Sequence, residues 1–120
     1  MKAPAHFDET STKHFNFIVE QLQRIEKLDE AYLPIIDALA FNLTEVESCQ
    51  KVLMKEGFIM DGLHGKKEHP AVSISKKAQS KVLESYKVLG LDASQRFKED
   101  QAKPEDLNKD PLIQLLRAKF

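Results

Sequence analysis

The fold class this sequence predicts is mainly α: a helical single domain with a central helix–short β-hairpin–helix unit that associates with copies of itself. Three observations lead there. Large apolar residues recur at helical spacing in separate stretches, a glycine-bearing interruption between two of them holds a short β-prone run, and 120 residues suffice for one core but not for two. A chain of this length buries only about two-thirds of the surface its unfolded form exposes. The apolar and small-residue surface left on the two central helices is therefore expected to be covered in a closed homo-oligomeric ring.

Residues 1–10 read as a flexible N-terminus, and residues 11–98 as the helical oligomerisation domain. Phe15, Ile18, Val19, Leu22 and Ile25 fall on one stripe of a first helix, which Ser11 or Thr12 can cap. Asp29 can cap a second helix, with Leu28 and Leu33 as a hydrophobic staple. Pro34 lacks an N–H, so this helix either kinks there or begins near Pro34. Ile35, Ile36, Leu39, Leu43, Val46, Cys49 or Gln50, and Leu53 keep the helical period to Lys55 or Glu56, where Gly57 supplies a left-handed cap.

Phe58, Ile59 and Met60 form the β-prone run. Asp61-Gly62-Leu63-His64-Gly65 is the hairpin loop, and Lys66 to His69 the return strand. Pro70 suits the first position of a third helix, because its locked φ fits and its missing N–H would be unpaired there anyway. Ala71, Ile74, Ala78, Val82, Ser85, Tyr86 and Leu89 cover one side of that helix. Lys76, Lys77, Glu84 and Lys87 lie opposite, with Lys81 at the boundary. Gly90 ends it, and Asp92 with Gln95 has capping-box spacing for a further short helix. Residues 99–110 read as a linker. Residues 111–120 read as a last helix with Leu112, Leu115 and Leu116 on one face.

Composition excludes several classes. Charged residues make up 31% of the chain and no apolar run nears the length of a membrane helix, so no membrane role is expected. The N-terminal residues include Asp8 and Glu9 and lack an apolar signal region, so a cytosolic address is expected. A single cysteine, Cys49, excludes an internal disulfide framework. It sits on an apolar stripe, where a reduced core thiol is the expectation rather than a nucleophile.

No catalytic constellation emerges. His64-Gly65-Lys66-Lys67-Glu68-His69 has the wrong spacing for a zinc-protease helix, and Gly65 and Pro70 interrupt any helix through both histidines. Ser73-Ile74-Ser75-Lys76 has the Ser-x-x-Lys spacing of penicillin-recognising enzymes in a chain too short for that fold. Asn42-Leu43-Thr44 is a glycosylation sequon inside a predicted helix. No glycine-rich phosphate loop is present. The expectation is no enzyme, no metal and no cofactor.

Charge distribution carries the functional signal. Net charge is −1 overall, but residues 1–63 sum to −5, residues 64–98 to +5 and residues 99–120 to −1. A segregated basic block creates a local positive potential even on a neutral chain. Lys66, Lys67, Lys76, Lys77, Lys81, Lys87, Arg96 and Lys98 are spread over the hairpin, the third helix and the turn after it, as a phosphate-contacting surface requires. Tyr86 and Phe97 alone interleave with them, which favours duplex backbone contact over stacking on single strands. A helical protein-interaction module that never touches DNA is the alternative.

Several ordered pieces carry a family resemblance: Leu53-Met54-Lys55-Glu56-Gly57-Phe58-Ile59, Gly65-Lys66-Lys67-Glu68-His69-Pro70-Ala71-Val72, then Ala78, Tyr86 and Leu89-Gly90-Leu91-Asp92. In this combination, over residues 29–98, the chain resembles the small terminase subunit of tailed bacteriophages and prophages, in the branch found beside phages with cohesive DNA ends. Relatives often continue with an arginine-rich segment, where this chain has Ala93-Ser94-Gln95-Arg96-Phe97-Lys98. The resemblance implies a non-catalytic ring that binds viral double-stranded DNA at its packaging start in the cytoplasm of the bacterial host. It also implies recruitment and stimulation of the large terminase subunit, the ATPase and nuclease. Leu112, Ile113, Leu115, Leu116 and Phe120 would meet that partner, or else fold back on the protomer.

Overall fold

The computed structural model describes residues 1–92. Helix α1 spans Glu9–Arg24, a 3₁₀ turn covers Glu30–Tyr32, and helix α2 spans Leu33–Glu56. Strands β1 (Ile59–Gly62) and β2 (Gly65–Glu68) form an antiparallel hairpin, and helix α3 spans Pro70–Leu89. The mainly helical class, with its hairpin between the second and third helices, is the one the sequence predicts. The expectations of a short helix after Gly90, of a linker over 99–110 and of a last helix over 111–120 fall outside the described residues.

Helix α1 starts earlier than its expected cap. The carboxylate of Asp8 accepts from the Ser11 backbone N–H at 2.8 Å, so Asp8 is the N-cap, and Ser11 and Thr12 lie inside the first turn. That bond holds the Asp8 carboxyl below the usual carboxylate range. The Ser11 hydroxyl is buried and meets the Thr44 hydroxyl of α2 at 2.9 Å. Because Thr44 gives its one proton to the Ala40 carbonyl, Ser11 is the donor of that pair. Within the first ten residues Ala3 and Phe7 pack on the core, with the Phe7 ring edge-on to Phe15 at 6.4 Å.

Of the two readings at Pro34, the second holds. Asp29 caps only the 3₁₀ turn, accepting from the Ala31 N–H at 2.8 Å, and α2 begins at Leu33 with Pro34 in its first turn. At the other end Gly57 has the expected positive φ, 85°, but ψ is 167° rather than left-handed helical. That extended, positive-φ region is open essentially to glycine alone, and it sends the chain straight out of the helix into β1.

The hairpin pairs Ile59 with Glu68 and Gly62 with Gly65. Leu63 and His64 make its turn, and Gly65, at φ 116°, takes the positive φ that the reversal needs. The return strand closes at Glu68. His69 lies just past it, its backbone N–H bonded to the Phe58 carbonyl at 2.8 Å.

Two unequal cores result. Phe15, Ile18, Val19 and Leu22 of α1, Ile36, Leu39 and Ala40 of α2, and Val82 and Leu89 of α3 form the larger one. Cys49, Leu53 and Ala71, with Val72 against them, form a small one near the hairpin. Ser11 and His14, early in α1, reach Thr44 and Glu47, so α1 lies alongside the first part of α2. The last turns of α2 have α3 as their helical neighbour. Ile74 departs from its expected place on the buried side of α3: it is 44% exposed. The buried line runs through Ala71, Ser75, Ala78, Val82 and Leu89; its first three residues are small, and the bulkier Ile74 lies on the flank.

Candidate nucleic-acid interface

The joint between hairpin and α3 fixes where the lysines sit. His69 is the N-cap of α3: its Nδ1 accepts from the Ala71 N–H at 3.0 Å, and its Nε2 lies 3.4 Å from a Glu56 carboxylate oxygen at the end of α2. An Nδ1 that accepts must be unprotonated, so in the neutral ring the proton is on Nε2, facing Glu56. One side chain thus ties α2 to α3 while its backbone closes the hairpin.

On this frame Lys66, Lys67 and Lys76 come together around one open groove of about 640 Å³, with Phe58, Ile59, Glu68 and Val72 as its other lining residues. The groove continues past Phe58, Val72 and Lys76 toward Leu53, Met54 and Gln79, forming a trough between the end of α2, the hairpin and the start of α3. Lys77 and Lys81 lie on the other flank of α3, beside Asn42, Glu45 and Ile74. Consecutive residues on a helix are about 100° apart, so Lys76 and Lys77 fall on different sides although adjacent in sequence. Lys87 is three turns further along α3. Arg96 and Lys98 lie outside the described residues, as do Leu112, Ile113, Leu115, Leu116 and Phe120.

Charge pairing narrows the set. Lys66 is 3.0 Å from Asp61 across the hairpin, and Lys81 is 3.5 Å from Glu84. Lys67, Lys76, Lys77 and Lys87 have no carboxylate partner among the described residues, and all four are exposed. They are the cations freest to meet phosphate. The trough-lining residues Met54, Phe58, Ile59 and Val72 are additions to the site that periodicity did not single out. Their signal was available in the β-prone run itself: a hairpin this short has too little sheet to bury Phe58 and Ile59, and they are 55% and 64% exposed.

Other chemistry is thin. Cys49 is buried, and that burial, with the charge of Glu45 added, raises its thiol above the ordinary value, opposite to what a nucleophile needs. Among the described residues no group of three or more His, Cys, Asp or Glu side chains could hold a metal ion, and no helix is long and apolar enough to cross a membrane.

The family of the phage terminase small subunit matches residues 11–106, from the third residue of α1 to beyond the described structure. The chain belongs to this family. No curated protein and no solved structure gives a significant match. Membership covers α1, which the sequence resemblance left out, as well as the hairpin and α3. A small terminase subunit has a role in phage DNA packaging, and the lysine-bearing hairpin–α3 unit stands within the matched span.

Proposed function

We propose that this small terminase subunit is a non-catalytic adaptor that binds viral duplex DNA and recruits and stimulates the large terminase ATPase-nuclease, as a homo-oligomeric ring in the host cytoplasm. The observation that carries the reading is the set of exposed lysines without a carboxylate partner among the described residues, Lys67, Lys76, Lys77 and Lys87, on the hairpin and α3 of a terminase small-subunit chain. Both flanks of α3 bear them. Ring symmetry would repeat each flank around an axis and turn separate protomer patches into continuous positive bands. Lys66, Lys81, Arg96 and Lys98 would extend those bands. In this reading residues 11–98 form the ring and hold DNA, residues 99–110 link, and residues 111–120 dock on the large subunit as a helix in a groove.

Phosphate contact releases counterions, so the logarithm of affinity should fall with the logarithm of salt, with a slope near −0.9 for each phosphate neutralised. Fluorescence anisotropy with duplex DNA at several salt concentrations tests this. The double variant Lys76→Glu, Lys77→Glu should bind more weakly to every sequence, with a shallower slope and unchanged oligomer size by light scattering. Unchanged affinity in that variant, or no duplex binding by the wild type, would leave the lysines as a solvated face and favour a protein-interaction module.

A further inference from the structure

The trough is an apolar surface that the described residues leave uncovered. Met54, 72% exposed, and the half-exposed Phe58 and Ile59 wall it together with Leu53 and Val72, and its charged lining, Lys66, Lys67 and Lys76 against the single carboxylate Glu68, is net positive. Apolar walls with a net positive lining match a segment that is acidic and then apolar. This chain contains one. Glu105, Asp106 and Asp110, with Lys109 the one base among them, lead into Leu112, Leu115 and Leu116, which share a face at helical spacing.

Reach permits the match. The described structure stops at Asp92, just beyond the end of α3 opposite the hairpin, and α3 is about 30 Å long at 1.5 Å per residue. Residues 93–110 can span up to about 60 Å when extended. We infer that residues 105–116 seat in the trough, Leu112, Leu115 and Leu116 against Phe58, Ile59 and Val72, with the acidic residues beside Lys67 and Lys76. This goes beyond the DNA-packaging reading and does not depend on it. Where both hold, the seated segment and DNA share Lys67 and Lys76, so each weakens the other, and the large subunit would draw its docking segment from this seat.

Disulfide trapping in the full chain tests the seat, because two cysteines cross-link only when their Cα atoms come within about 7 Å. In a Cys49→Ala background, Met54→Cys is paired in turn with Leu112→Cys, Leu115→Cys and Leu116→Cys, and mild oxidation is followed by peptide mass spectrometry. Phe17→Cys is the control. Phe17 is also exposed and lines a groove with Tyr86 and Leu91, close to where residue 93 begins, so an unseated tether would favour it over the distant trough. A several-fold excess of the bond to residue 54 over the bond to residue 17 is the expected result. Lys67→Glu with Lys76→Glu should remove the excess, and Glu105→Lys, Asp106→Lys and Asp110→Lys added to that variant should restore it. Equal or greater yield at residue 17, no bond at residue 54, or no response to the charge swap would overturn the seat. The cross-link yields are read without DNA present, so failure of the seat is distinguished from failure of the DNA reading, which the salt titration tests.

Discussion

The two ends of this molecule are built from the same helices and are packed differently. At one end α1, α2 and α3 meet around Phe15, Leu22, Ile36 and Leu39, all fully buried. At the other, α2 and α3 are left with Cys49, Leu53 and Ala71 and a hairpin whose apolar side chains face outward. The first end can hold the protomer together through buried area. The second can present lysines and an open trough because little of it is committed to a core. Burial and availability compete for the same side chains, and the short reach of α1 along α2 decides which end gets which.

Core truncation gives the largest way to break that comparison. Leu22→Ala should cost toward the upper part of the roughly 2–5 kcal/mol typical of a buried leucine, since three helices hold the cavity open. Leu53→Ala should fall toward the lower part, because its small cluster borders the trough and can collapse into it. Urea denaturation of both variants checks the difference. Equal losses would mean that the hairpin end is packed as tightly as the other.

Much of the larger core was legible because Phe15, Ile18, Val19 and Leu22 are large and strictly periodic. Residue size and spacing alone specify such a face. What stayed hidden was pairing across the chain. Nothing local tells Ser11 that its hydroxyl will bond Thr44, so it looked like a cap while Asp8, a stronger acceptor one turn earlier, took that role. Similarly, the small residues Ala71, Ser75 and Ala78 begin the buried line of α3, and bulky Ile74 lies off it. The lysines were legible as a block. Their division between two flanks was not, since it depends on how α3 is rotated against α2 and the hairpin.

An intermediate effect is expected at the joint between the ends. His69→Ala removes the acceptor for the Ala71 N–H and the contact with Glu56, and losing an N-cap costs about 0.5–2 kcal/mol. His69→Asn keeps a capping oxygen but lacks the reach to Glu56, so it should recover most of the stability. Hydrogen exchange sharpens the point: in the alanine variant, hairpin amides should lose protection while amides of α1 keep theirs. Uniform loss along the chain would show that the two ends unfold as one unit and that their difference in packing has no thermodynamic counterpart.

The smallest effect concerns a flaw in the better-packed end. Asp37, in the second turn of α2, has one carboxylate oxygen buried without a hydrogen-bond partner among the described residues, and desolvation raises its pKa, offset in part by the charge of His6. A folded pKa above the unfolded one means that ionisation is disfavoured in the fold. The resulting penalty is absent in acid and develops as pH rises through the folded pKa. Asp37→Asn should therefore stabilise the chain at pH 7 by under about 1 kcal/mol, within the range of a partly exposed substitution, and the advantage should vanish as pH falls toward the carboxylate range. Asp8 and Glu47 have the opposite sign. The Ser11 N–H on Asp8, and His14 followed by Lys51 on Glu47, lower their pKa values, so their contribution is present above the ordinary carboxylate pKa and lost as pH falls through the folded one. Both variants share that acid loss, and the difference between their melting temperatures at pH 7 and near pH 4 isolates Asp37. A difference that does not change with pH would mean that the asparagine acts through packing and that the buried oxygen carries no charge penalty.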